Sequence, residues 1–144
     1  MKRVGGILSA LGLGLLAGGM LFFPIMTWLL FTRLPRPVAG PFVSSCFPVY
    51  YAYMLVLSAL AGVGLALRAS YKAALLLWAI CLITVWEWLW MIPQMNGDLL
   101  SGNMVAFNRY HILSTWIDGV AFIIVLVLLA RVGAHNARRQ RRRR

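Results

Sequence analysis

Residues 71–92 read YKAALLLWAICLITVWEWLWMI, and after Lys72 the stretch holds one charged side chain, Glu87. As an α-helix rising about 1.5 Å per residue, it reaches across roughly 30 Å of hydrocarbon. Inside lipid, every backbone N–H and C=O must find its partner within the segment or a closed barrel. The apolar residues run on without strict alternation, so the stretch predicts a transmembrane helix and not a barrel strand.

Three further runs have the same character: residues 4–31, 48–69 and 111–132. Together the four predict an all-α integral membrane bundle of four transmembrane helices over residues 1–134, followed by a basic tail at 135–144. Pro24 is expected to bend the first helix near its end. Ser70 marks a tight turn between the second and third. The opening Met1-Lys2-Arg3 followed by apolar residues imitates a secretory signal. The run is about twice the length of a signal core and lacks a cleavage site, so it reads as a retained helix.

Composition agrees. Hydrophobic residues make up 62% of the chain and charged residues 12%, about half the charged share of a soluble domain. The 14 Lys and Arg face only Glu87, Asp98 and Asp118, which gives a net charge of +11. Such a charge can signal nucleic-acid binding. Here the basic residues flank the apolar runs instead, which is a topology signal. With four spans, Lys2, Arg3, Arg68, Lys72, Arg131 and the tail arginines share one side, and only Arg33, Arg36 and Arg109 lie on the other. This predicts a multi-pass protein of the cell membrane with both termini cytoplasmic, and no nucleic-acid partner. The tail Arg138–Arg144 is expected to be disordered and to lie against anionic lipid headgroups. Cys46 and Cys81 form no disulfide framework and no zinc spacing.

Small residues recur every four positions at Gly6, Ala10, Gly14 and Gly18, and at Ser58, Gly62 and Ala66. Such stripes let helices approach closely in lipid. They serve either the packing of this bundle or a homo-oligomer seam.

Charged groups within spans are costly, and they mark candidate sites. Glu87 in the third span and Asp118 in the fourth lie at similar depth. His111, Ser114, Thr115 and Asp118 fall at i, i+3, i+4 and i+7, one helical face that is expected to point inward. Arg109 precedes them, and Arg33, Arg36, Asn96 and Asn103 lie in the outer loops. Three readings stay open. The polar groups are interhelical glue, with the acids paired to Arg33, Arg109 or His111. They form a site for a small solute or a proton relay, with His111 as a group that titrates near neutral pH. Or His111 joins the acids or a methionine at a metal or haem; His135 lies on the opposite side, which disfavours bis-histidine ligation. Trp86, Trp88 and Trp90 are expected on different sides of the third helix, and Tyr50, Tyr51 and Tyr53 in an interfacial belt. No hydrolase, metalloprotease or P-loop motif is present, and Ser114, His111 and Asp118 on one helix cannot form a triad. Hence no catalytic residues, metal or cofactor are expected.

The stretch Phe31-Thr32-Arg33-Leu34-Pro35-Arg36-Pro37-Val38-Ala39-Gly40, continuing through Phe47-Pro48-Val49-Tyr50-Tyr51, and the later Phe107-Asn108-Arg109-Tyr110-His111-Ile112-Leu113-Ser114 resemble the transmembrane protein 205-like family, a domain of unknown function. The resemblance covers most of the chain and departs from the family pattern at Asp118, where many members carry Asn. It implies a small four-helix membrane protein and no established reaction. Its motif residues Arg33, Pro35, Ala39, Gly40, Pro48, Tyr51, Arg109, His111 and Ser114 map to the outer half, with Gly40 at a turn and Pro48 at a helix start.

The reading is a non-enzymatic membrane protein of unknown activity. It would bind or move a small solute or ion through an outward-facing pocket of Arg33, Glu87, Arg109, His111, Ser114 and Asp118. The alternatives are a structural or assembly subunit of a larger membrane complex and, more weakly, a metal-binding redox or resistance protein.

Overall fold

The computed structural model describes residues 2–141, with side chains up to residue 137. The helices are α1 (Lys2–Arg33), α2 (Arg36–Leu67), α3 (Tyr71–Trp86), α4 (Ile92–Leu100) and α5 (Met104–Arg141). A five-residue π-helical stretch, Glu87–Met91, joins α3 to α4, so Tyr71–Leu100 is one continuous rod. Four rods are long and apolar enough to cross a membrane. The protein is an all-helical, multi-pass membrane bundle. Its outer surface carries residues no water-soluble fold would leave uncovered, with Leu82 and Val49 each 73% exposed. These faces are suited to lipid tails.

Several boundaries move. The second helix starts at Arg36, not Pro48. Pro35 precedes it and Pro37 lies in its first turn, where a missing N–H costs nothing because the first N–H groups have no partner within the helix. Pro41 and Pro48 are carried inside α2. Gly40 is therefore helical and not in a turn, and a Cβ there would meet open space. Helix α1 continues through Pro24 to Arg33. Helix α5 starts at Met104 and passes Val132 to reach Arg141, so residues 135–141 of the expected tail are helical. Arg142–Arg144 lie outside the described residues.

Two tight turns use the same device. After α2, the Ser70 N–H reaches the Leu65 carbonyl at 3.0 Å and the Ala69 N–H reaches Ala66 at 2.9 Å. After α4, Asn103 reaches Asp98 at 2.9 Å and Gly102 reaches Leu99 at 3.2 Å. Both are Schellman closures, which put one residue in the left-handed region. That residue is Gly102, φ 74°, in one turn and Ala69, φ 61°, in the other. The Asn103 side chain then caps α5 by accepting from the Ala106 N–H at 3.3 Å.

Helices α1 and α2 pack backbone to backbone. A Cβ on Gly5 would meet the Gly64 carbonyl at 2.7 Å, and one on Gly12 would meet Ala61 Cβ at 2.9 Å. The small-residue stripe at this seam is thus Gly5, Ser9 and Gly12. Gly6, Gly14 and Gly18 look onto open space. Leu13 and Leu16 of α1, Met54 and Ala61 of α2, Leu77 of α3 and Val125 of α5 fill the core.

Candidate functional site

The rod that carries Glu87 changes its winding at that residue. The Ile92 N–H donates to the Glu87 carbonyl, five residues back. Pro93 follows at the start of α4. In a regular helix the Pro93 ring would collide with the Leu89 carbonyl and leave it without a donor. A wider turn just before the proline relieves both problems, and such π turns are frequent at functional sites. The inward face then runs Leu77, Ile80, Thr84, Glu87, Met91 and Met95, all buried.

Glu87 is 1% exposed. Its neighbours are Asp118 and Ser114 of α5, and Ser114 also lies beside the Tyr51 hydroxyl of α2. Glu87, Thr84 and Asp118 share a cavity of about 270 Å³ between α3 and α5. Met54 and Ile80 form its apolar wall, and Trp116, Val120 and Ile124 of α5 line its lip. Helix α3 packs on α2, and α5 on α1 and α4, which leaves the α3–α5 seam open toward lipid.

Glu87 Oε1 and Asp118 Oδ1 are buried without a hydrogen-bond partner, as are the hydroxyls of Tyr51 and Thr27. A buried carboxylate needs a counter-charge or a proton, and two together in an apolar wall need one more urgently. Among the described residues, no arginine or histidine lines the cavity.

The sequence-predicted site residues therefore separate. Glu87, Ser114 and Asp118 come together inside the bundle. Arg33, Arg109 and His111 are exposed near the opposite end from the termini. The expected inward stripe of α5 is split: Ser114 is buried and Asp118 half-buried, while His111 and Thr115 face outward. Thr115 satisfies itself by donating to the His111 carbonyl at 2.8 Å, and His111 stacks on Phe107 with ring centroids 5.8 Å apart. Among the described residues, no three of His, Cys, Asp and Glu converge in a way that could hold a metal ion.

The aromatic residues also depart from expectation. Trp86 and Trp90 share one face and stack at 5.4 Å, while Trp88 points toward Tyr51 at 6.5 Å. Tyr50 and Tyr51 are core residues, not a belt, and the early start of α2 puts them in the middle of that helix. Tyr53 donates to the Leu15 carbonyl of α1. The spacing of Tyr50, Met54, Leu57 and Ala61 was the available signal, since steps of four and three mark one helical face.

Residues 11–97 match the family described as Domain of unknown function (DUF4149). The matched region includes Glu87 and ends before Ser114 and Asp118. No curated protein matches the chain, and no solved structure does.

Proposed function

The chain belongs to the DUF4149 family of unknown function, and on that premise we propose that it reversibly binds a small cation, the proton included, between Glu87 and Asp118. On its loop motifs we place it with the transmembrane protein 205-like proteins. Its basic flanks support a position in the cell membrane with both termini cytoplasmic and the tail against anionic headgroups. In this reading residues 1–134 are the membrane domain and residues 135–144 the basic tail.

The observation that carries the proposal is the unpartnered Glu87 Oε1, on a buried side chain that lines a cavity together with Asp118. At about 270 Å³ the cavity lies just below the usual range for drug-sized ligands, which suits an ion and its residual hydration better. Ser114 and Tyr51 supply hydroxyls beside the acids. Arg33, Arg109 and His111 act at most at the approach to the site, as charges at the membrane boundary.

Dicyclohexylcarbodiimide tests this, because it modifies protonated carboxyls within membranes. Full-length protein in lipid nanodiscs should gain an adduct on Glu87 or Asp118, and sodium or potassium should protect it. Labelling confined to other residues, or indifferent to every cation and to pH, would overturn the proposal.

One observation favours a second reading, in which the chain docks on another membrane protein or a second copy. Gly14 and Gly18 lie on an open face beside an apolar cavity of about 590 Å³ between α1 and α2. A companion that survives mild detergent and is lost in Gly14→Leu supports it.

A further inference from the structure

A second cavity lies at the end of the bundle that carries the termini. It measures about 720 Å³ and is lined by Arg68, Lys72, Arg131 and His135, with Ser70 and Tyr71 adding hydroxyls. These residues come from three separate places: the end of α2, the start of α3 and the last turns of α5. Leu65, Leu128 and Val132 form an apolar floor.

The whole chain has three acidic residues, Glu87, Asp98 and Asp118, and none lines this cavity. Its basic residues therefore line one cavity with no acidic side chain among them. Arg68 is also held in place. Its guanidinium donates to Ser9 Oγ of α1 at 3.3 Å and to Asn136 Oδ1 of α5 at 3.4 Å. A topology signal requires basic residues near the ends of spans. It does not require them to converge from three parts of the chain on one hollow.

We propose that this cavity binds a phosphate group, that of an anionic phospholipid at the membrane boundary. The basic rim recognises the headgroup charge, and the apolar floor continues into the bilayer to receive the acyl chains. Basic pockets between transmembrane helices bind such headgroups elsewhere. The bound lipid would add to the Arg68–Asn136 hydrogen bond in tying the α2–α3 turn to α5.

Native mass spectrometry of the full chain, released from nanodiscs of phosphatidylcholine with phosphatidylglycerol, tests this. The wild type should retain one phosphatidylglycerol against excess phosphatidylcholine. Lys72→Gln with Arg131→Gln, both on exposed side chains, should weaken retention by about tenfold or more. Arg33→Gln with Arg36→Gln, on exposed side chains at the opposite end of the bundle, should leave it unchanged. A parallel arm adds inorganic pyrophosphate to protein in phosphatidylcholine alone. Binding of pyrophosphate that is lost in the Lys72/Arg131 pair, with no lipid retained, keeps the phosphate site and reassigns its source to a soluble anion. Equal loss in the two variant pairs, or no retention of either ligand by the wild type, overturns the proposal. Circular dichroism of each variant separates loss of ligand from loss of fold.

Discussion

Trp86 stacks on Trp90 with ring centroids 5.4 Å apart and planes 16° from parallel, across the π turn that opens at Glu87. The pair reports on the winding that follows Glu87 and carries the inward face on to Met91 and Met95. The cause of that winding is Pro93, whose ring and missing N–H are accommodated by the wide turn.

Replacing Pro93 with Ala should let this segment return to regular helix. Everything beyond Met91 would then rotate by roughly 100° relative to α3. The near-ultraviolet circular dichroism of Trp86 and Trp90 should change, because the angle between residues four apart differs between the two windings. An unchanged tryptophan signal would mean that the π turn has another origin.

Ala69 occupies a backbone conformation that its neighbour motif gives to Gly102. Ala69→Gly should stabilise the protein by about 1 kcal/mol, and Gly102→Ala should destabilise it by a similar amount. Unfolding in a graded detergent series measures both. Shifts of the same sign would contradict the assigned turn geometry.

The glycines of α1 and α2 should divide into two classes. Gly64→Ala would place a Cβ 2.5 Å from the Ser9 backbone nitrogen, and overpacking of this kind costs about 1–3 kcal/mol. Gly14→Ala meets open space and should leave the bundle's unfolding transition where it is. The same detergent series distinguishes them.

Much of this architecture is legible in the sequence, because lipid imposes a simple rule: long apolar runs must be helices. The third span and the turn at Ser70 follow directly. The helix ends do not, because a span in lipid and the helix that contains it have different limits. Arg36 to Phe47 is helical, although Pro37 and Pro41 there resemble loop residues. Prolines tolerated in the first turns mislead a reader who takes each as a boundary. The candidate site was half legible. Glu87 and Asp118 stand out as acids among apolar residues, but the inward arc of α5 is too narrow to hold the whole polar stripe. Thr115 meets its hydrogen-bond need on the helix backbone, and the exposed His111 stacks on Phe107, so neither requires the interior. Tyr51 was hidden because tyrosine in a membrane sequence usually marks the interface.

Neutralising the acids should separate stability from binding. Glu87→Gln replaces a buried carboxyl whose Oε1 has no partner by a neutral amide of the same shape, so it should keep or raise the unfolding midpoint. Asp118→Asn should behave alike. If either variant unfolds the bundle, the carboxyls are structural anchors and not a ligand site.

The most direct measurement is infrared difference spectroscopy of the protein in nanodiscs as sodium or potassium replaces an inert organic cation. Exchange at the buried pair predicts loss of a protonated-carboxyl band and gain of carboxylate absorption, with both changes absent from the Glu87→Gln, Asp118→Asn double variant. A wild-type carboxyl spectrum that responds neither to small cations nor to pH would contradict the account.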